Sequence, residues 1–598
     1  MKKSTFLSLN IVLVVCMVFL NCVGTTKPLI DVSQHQICDS IRFNQVGYLP
    51  SAPKYFMVAD SRADTFYLID TLGVQRYRGL LGESEHWHLS GESVAMGEFS
   101  SHTEEGVYHI YVPLVGISAP FEIGREIYQS VLEASLKSFY FQRASLDLEP
   151  RFAGQWAREA GHPDTACKMH PSTGATGYRS SPGGWYDAGD FGKYVVNSGI
   201  TVATLLSLYE RFPDVIGDKF SYIPESGNGT SDLLDEVKYQ LDWLKTMQDD
   251  DGGVFFKLSG LNWPGTVMPH EDTQPRYIIG KSTTSTLCFA ANMAQAARIY
   301  RKTDREYADD CLERAKNAFA WAMDNPAVPE PEETGGSGAY GVWQQDWMDP
   351  DCSGEQYLVE GDDAFKDEFF LAATELFITT GDKQYGTMVR ELMTEMEFRD
   401  VPTWWDLQGL AYYSLLTADN TLEQQYRDVA LERVLNLSDH HMEIMSQNPY
   451  RIPYECFFWG SNASFLNIAI LFSYAYTLSG EIEYFHAMAE TMDYIFGKNA
   501  TGYCFVTGFG HKSSTSVHHR QINADGIDEP IPGFVAGGPN AMMQDCITKV
   551  DWGAKYPYSY PARAYVNDKK SYASNEVAIN WTAPMVHALG FLMAAETP

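Results

Sequence analysis

The sequence predicts a multidomain chain, a β-sandwich of roughly immunoglobulin size followed by an all-helical domain. Three observations predict it. Short aromatic or β-branched runs, separated by Gly, Ser, Asp and Pro, fill residues 38–124. Long amphipathic stretches with apolar residues at helical spacing fill residues 126–598. A junction recurs in the second part, as "IYRKTDREY" at 299, "LFITTGDKQY" at 376 and "AYTLSGEIEY" at 475. Each is an aromatic helix end, a short polar turn that stops one helix and caps the next, and a Tyr beyond it. Repeated helical hairpins of this kind imply a helical array or a closed toroid of about a dozen helices.

The elements follow in chain order. Lys2 and Lys3 precede an apolar run from Ile11 to Leu20, the pattern of a secretory signal over residues 1–22. The run is too short to span a bilayer. Cys22 stands where a bacterial lipoprotein carries its lipid, although Asn21 replaces the usual small residue before it. The expectation is an exported protein of the periplasm, outer membrane or cell surface, touching the membrane only through a lipid anchor at Cys22. The alternative is a soluble exported protein. "KYFMVAD", "TFYLID" and "GVYHIYV" then read as sandwich strands, and the boundary falls near "VGISAPFEIG". Helical stretches follow in "EIYQSVLEASLKSFYFQRAS", "SDLLDEVKYQLDWLKTMQ", "STTSTLCFAANMAQAARIYRK" and "EVAINWTAPMVHALGFLMAA". Long irregular stretches interrupt them at 160–185, 257–280, 330–365 and 500–575, and connections of that length usually carry function.

Composition narrows the partners. Formal net charge is −33, so phosphate backbones would repel the chain and nucleic acid is excluded as a partner. An aromatic content of 13% suits stacking on flat ligands such as sugar rings, with most rings serving as core. Ten cysteines are scattered without CxxC pairs, as expected of small buried hydrophobes, with room for a disulfide or two.

Three stretches carry candidate chemistry. In "GGWYDAGDFGKYV", Asp187 and Asp190 lie in a Gly-rich segment behind Trp185 and Tyr186. One reading is a helix cap at Asp190 with Asp187 on backbone amides. The other is a carboxylate pair that positions and deprotonates a water, with glycines permitting close approach. In "YASNEVAINW", Glu576 is expected at the start of the final helix, either as a first-turn glutamate favoured by the helix dipole or as an acid kept protonated by Tyr572 and Trp581. In "GFGHKSSTSVHHR", His518, His519 and Arg520 suit hydrogen bonds to a polar substrate, a solvated basic cluster, or a weak metal site.

Together these pieces resemble glycoside hydrolase family 9, a cellulase family, over nearly the whole chain. "IRFNQVGYLP" is similar to the start of the immunoglobulin-like domain of many members. "GGWYDAGDFGKYVVNSG" resembles the catalytic-base segment, "VTGFG…VHHR" the histidine signature and "SYASNEVAINW" the proton-donor signature. "IPESGNGTSDLLDEVKYQLDW" and "DGGVFFKL" also resemble family sequence. The resemblance implies an (α/α)6 barrel with an open cleft and an inverting endo-β-1,4-glucanase. Its substrate would be cellulose, mixed-linkage glucan or xyloglucan. Asp190 would be the general base, Asp187 would help hold the water, and Glu576 would be the general acid. His518 and Arg520 would bind sugar hydroxyls, with Trp185, Tyr186 and Tyr572 as aromatic contacts. No cofactor would be required for the reaction.

Asp363, Asp367 and Glu368 in "GDDAFKDEFF" resemble a structural calcium site, the alternative being an acid-rich helix start. His162, Cys167 and His170 have a spacing that would suit zinc, but Ala144 follows Arg143 where zinc-binding members often carry Cys. Two positions depart from the family. Asn567 stands where Asp is usual, nine residues before the donor, and Thr582 replaces an Asn. Loss of that charge is expected to lower the pKa of Glu576. Two other functions stay open at this point. One is an exo-acting β-glucosidase or glucosaminidase on short oligosaccharides. The other is a weakly active glycan-binding protein of the cell surface, which Asn567 favours.

Overall fold

The computed structural model describes residues 30–330, 346–348, 356–358, 365–547 and 553–596. The N-terminal part is a two-sheet sandwich. One sheet has the order β1 (Ile41–Arg42), β3 (Tyr55–Ala59), β7 (Glu92–Glu98), β6 (Glu85–Trp87). The other runs β2 (Gly47–Tyr48), β10 (Phe121–Ile123), β8 (Gly106–Val112), β4 (Thr65–Asp70), β5 (Gln75–Leu80), with β9 (Gly116–Ile117) beside β8. Alternation places Tyr108, Ile110 and Val112 of β8 inward against Phe56, Val58, Phe66 and Leu68, as a half-buried strand requires.

Twelve helices of ten or more residues follow among the described residues, and they divide into two kinds. Six line the interior: Val195–Arg211, Thr283–Tyr300, Lys366–Thr380, Gln408–Thr417, Ser461–Ser479 and Ile579–Glu596. Each packs on the next, and Ile579–Glu596 packs back on Val195–Arg211, which closes the ring. Tyr413 stacks on Tyr474 at 4.1 Å where the fourth meets the fifth. These helices are buried on all sides; every residue from Gln408 to Leu415 is. The other six flank them: Gln129–Gln142, Asp232–Met247, Arg305–Asp324, Lys383–Glu395, Gln424–Gln447 and Ile482–Ile495. In Arg305–Asp324 only a stripe is buried, through Ala308, Cys311, Ala315, Ala318, Phe319 and Ala322. An all-round apolar helix belongs inside and a striped one outside, which fits the rings of an (α/α)6 barrel except at Ile482–Ile495, an outer helix buried over most of its surface.

The junctions work as their residues dictate, with differences. Gly381 ends one helix at φ 69° and the Asp382 side chain accepts from the Gln384 N–H. Asp304 caps in the same way without a glycine, whereas the Glu481 side chain makes no cap bond.

Three of the irregular stretches contain strands, and in 330–365 Asp346–Met348 pairs with Gln356–Leu358. β11 (Cys167–Met169), β12 (Tyr178–Arg179), β13 (Lys193–Tyr194), β14 (Phe255–Ser259) and β15 (Tyr277–Lys281) form one sheet in the order β12-β11-β15-β14-β13. Short strands buried on both faces carry no alternation; all five residues of β14 are buried. Cys456 is disulfide-bonded, and Cys167, Cys288, Cys311 and Cys504 are buried free thiols.

The sandwich is bonded to the barrel. The Arg42 guanidinium pairs with Glu92 at 2.7 Å and donates to the Tyr450 hydroxyl, and Asn44 Nδ2 donates to Asp493 at 2.8 Å. Trp87 packs on Tyr450 with ring centroids 5.1 Å apart.

Candidate active site

Three loop segments meet at one end of the inner ring, and backbone hydrogen bonds lace them together. The Ile579 N–H donates to the Asp187 carbonyl at 2.8 Å. The His518 N–H donates to the Asn575 carbonyl at 2.8 Å, and the Arg520 N–H to the Gly189 carbonyl at 2.9 Å. A Cβ on Gly189 would lie 2.2 Å from the His518 carbonyl oxygen. Only glycine lets the Asp187–Asp190 loop approach the histidine loop this closely.

The carboxylates sit in unlike surroundings. Asp187 is buried; its Oδ2 accepts from Asn197 Nδ2 at 2.9 Å and its Oδ1 has no partner among the described residues. Burial, and then the charge of Asp190, push its carboxyl up to about 8. Of the two aspartates, Asp187 is thus the one that keeps a proton at neutral pH. Asp190 is also buried and accepts from the Tyr194 hydroxyl at 3.4 Å. Glu576 keeps part of its surface open, yet protein surrounds most of it. Burial and the Asp190 charge raise its carboxyl well above the usual range, with Arg520 opposing. A protonated carboxyl beside a carboxylate pair supplies an acid and a base to one site.

Glu576 does not begin the final helix. It has extended backbone after the short helix Tyr572–Asn575, and the final helix starts at Ile579. Its carbonyl accepts from the Gly537 N–H at 2.8 Å and it bridges to His518. The apolar spacing of "VAINW" continues that of the helix, which is why sequence extended the helix too far. Neither Glu576 nor Asp190 is spent on helix capping.

His518 and Arg520 line a depression of about 390 Å³ with Thr266, His519, Asn523, Lys569 and Lys570. His518 Nδ1 donates to the Lys569 carbonyl at 2.7 Å, so Nε2 is an acceptor. Burial lowers its imidazole to about 4, and it is neutral at working pH. Arg520 donates to the Pro264 carbonyl and the Gly189 carbonyl, both at 2.9 Å, and Trp263 lies over its guanidinium. His519 is structural: it caps Arg520–Ala524 and bonds Gln142, which in turn donates to the Ala188 carbonyl. Tyr572 packs between Trp459 and His518, and Trp459 remains 43% exposed.

Two expected sugar contacts are corrected. Trp185 is fully buried; its indole N–H donates to Glu236 at 2.8 Å and its ring packs on Phe139. Tyr186 is buried against Phe191 and its hydroxyl bonds His162 at 2.7 Å. Neither ring offers a face to a ligand. An aromatic pair beside catalytic carboxylates looks alike in sequence whether it faces cleft or core.

The metal candidates fare as follows. Asp363 and Cys22 lie outside the described residues. Asp367 accepts from the Leu407 N–H at 2.8 Å, and its neighbouring charge helps hold Glu368 well above the carboxylate range. Among the described residues no three His, Cys, Asp or Glu converge as for a metal. His162 is engaged by Tyr186 and Asp272, Cys167 by the Asp164 carbonyl, and His170 by Ser172, so the zinc spacing does not gather. Asn567 has another task. Its Oδ1 accepts from the Thr515 and Ser516 N–H groups and its Nδ2 donates to Thr515 Oγ1. It clips the histidine loop in place, and the charges that act on Glu576 are those of Asp190, Arg520 and Asp187.

Sequence reasoning missed Tyr194, Asn197, Lys257 and Trp263. Tyr194 and Asn197 read as ordinary residues of the helix after the motif. A polar Asn in the fully buried first turns of that helix was the available signal.

A closed double ring of helices with three interacting carboxyls gathered by its loops fits a glycoside hydrolase. Comparison with known proteins agrees. Residues 128–589 match the model of glycosyl hydrolase family 9, and residues 36–116 match the cellulase N-terminal ig-like domain. The chain belongs to glycosyl hydrolase family 9, as an enzyme of the endoglucanase class. It is 37% identical over 568 residues to a xyloglucan-specific endo-beta-1,4-glucanase of Bacteroides ovatus, covering 92% of each chain. A solved Bacteroides ovatus family 9 structure superposes with TM-score 0.82 at 34% identity, covering 94% of this chain and all of that one. The structure of AaCel9A in complex with cellobiose-like isofagomine superposes with TM-score 0.81 at 30% identity, over 93% of this chain and 100% of that one.

Proposed function

We propose that this protein is an inverting endo-β-1,4-glucanase whose preferred substrate is xyloglucan. The observation that carries the mechanism is the lacing of the segments that bear Asp187, Asp190 and Glu576 by backbone hydrogen bonds, with burial and the Asp190 charge raising the Glu576 carboxyl. Glu576 protonates the leaving glycosidic oxygen. Asp190 takes a proton from the attacking water. Asp187, itself protonated, donates a hydrogen bond to that water rather than accepting one. His518 and Arg520 contact the sugar beside the cut, and Tyr572 forms part of its wall. The choice of xyloglucan over cellulose and mixed-linkage glucan rests on the Bacteroides ovatus relative.

The carboxyls of Asp190 and Glu576 in this mechanism stand roughly 6.5–9.5 Å apart, with room for a water between base and sugar. Proton NMR of the first product from soluble xyloglucan should show the α-anomer, and an initial β-anomer overturns the mechanism. A reducing-sugar assay over the three glucans tests the substrate, and faster release from cellulose or mixed-linkage glucan overturns that choice.

The chemistry on this reading uses carboxyls and water, so dialysis against a chelator leaves turnover unchanged. A structural calcium at Asp363, Asp367 and Glu368 would appear instead as a melting temperature that falls on chelation. The protein is exported and held at the membrane through Cys22. Cys22→Ala should move it to the soluble fraction, and unchanged membrane association argues against the anchor.

A further inference from the structure

The site holds three carboxyl groups close together, and the mechanism uses no cation on the side of the base. β14 supplies one. Its central residue, Lys257, is fully buried, and in the β13–β14 register it lies opposite Tyr194. The Tyr194 hydroxyl is the group that donates to Asp190. The Lys257 ammonium lies 5.6 Å from the centre of the Tyr194 ring, and its charge acts on Asp190. Burying an ammonium in a strand among apolar neighbours is costly unless a counter-charge repays it.

We propose that Lys257 is a positioning residue for the reaction: from β14, behind the Tyr194 ring whose hydroxyl bonds Asp190, it supplies a counter-charge to Asp190 beside the other two carboxyls. The groups that face Asp190 are Asp187 from its own loop, Tyr194 from β13, Lys257 from β14 and Glu576 from the donor segment. Arg520 acts on Glu576 and donates to the carbonyl of Gly189, the residue before Asp190. The charge of Lys257 also reaches His170, whose ring bonds Ser172. Lys257 is the cation whose charge acts on the Asp190 carboxyl. Burial lowers the Lys257 ammonium to about 7, so its charge is present on the acidic side of neutrality, where the base must lose its proton. The same group weakens as pH rises through 7, when deprotonation of the base no longer needs help.

The inference rests on Asp190 being the base. The test is kcat/KM against pH on soluble xyloglucan for wild type, Lys257→Met, Lys257→Gln and Lys257→Arg, with circular dichroism and melting to confirm folding. Removing the charge that acts on Asp190 should move the acidic limb up by about one to three pH units in the Met and Gln variants. Near pH 5 that is a loss of at least about tenfold, shrinking as pH rises. Lys257→Arg should restore the limb. Affinity for a glucan oligosaccharide should stay within about threefold, because Lys257 is fully buried. Folded Met and Gln variants with the wild-type limb overturn the proposal, as does an equal loss at every pH. If wild type hydrolyses no β-glucan, the functional reading fails instead, and the two failures are distinct.

Discussion

Asp187→Asn separates the two aspartates. In the folded protein Asp187 is held at about 8 against an ordinary value of 3.8. Its folded pKa is raised, so the folded state keeps a proton that the unfolded state gives up between those values. Stability therefore falls as pH rises from about 4 to about 8 and levels off above. The span is about four units at ~1.36 kcal/mol each, a loss on the order of 5 kcal/mol across the range. Asparagine has the shape of the protonated acid, can still accept from Asn197 and carries no proton to lose. Urea unfolding of both forms at several pH values reads the difference. The variant should match wild type near pH 4 and gain steadily on it towards pH 8. Catalysis follows the same logic: the variant keeps a neutral donor beside the water, so kcat near neutral pH should fall by only about 10–100-fold. Parallel stability slopes would show that Asp187 is ionised in the folded state. A loss of activity as deep as that of Asp190→Asn would make Asp187 the base, and the assignment would be refuted.

Other expectations are simpler. Asp190→Asn should lower kcat by about 10²–10⁴ with glucan affinity nearly unchanged by calorimetry; near-normal turnover would remove Asp190 from the mechanism. Asn567→Asp should leave the alkaline limb of kcat in place, because its side chain is bonded to the 515–516 backbone. A limb that moves up would restore the expectation drawn from sequence. Arg42→Met should destabilise the protein by about 3 kcal/mol in urea, since Glu92 stays buried with Arg563 and the Tyr450 hydroxyl as its remaining partners. An unchanged midpoint would mean that the seam contributes little.

How much of this was legible in the sequence depends on which physical rule writes the signal. The strands of the sandwich alternate because one face of each sheet is wet, so "GVYHIYV" reads correctly as β8. The outer helices other than Ile482–Ile495 announce themselves by stripe, and Gly381 with Asp382 by capping chemistry. The inner helices and β14 carry no such period, since burial on all sides erases it. The sheet at the active site was therefore invisible, and with it Lys257. The gathering of Asp187, Asp190 and Glu576 was expected from the motifs, and the structure does bring the three carboxyls to act on one another. Direction was not legible. Trp185 and Tyr186 sit two residues and one residue before Asp187, yet the turn at Gly183 and Gly184, both at positive φ, sends both rings into the core. The orientation comes from Glu236 and His162, which arrive from distant parts of the chain. Local sequence can place a side chain on an element, but only packing decides what it faces. The same holds for Asn567. Read as a missing charge beside the acid, it suggested a weakened enzyme. Its three hydrogen bonds to Thr515 and Ser516 make it a clamp on the loop that carries His518 and Arg520. An aspartate could accept from the same two N–H groups, and the Thr515 hydroxyl could turn to donate to it. Asparagine and aspartate can therefore serve one structural purpose at this position, and a departure from the family pattern need not be a departure in mechanism.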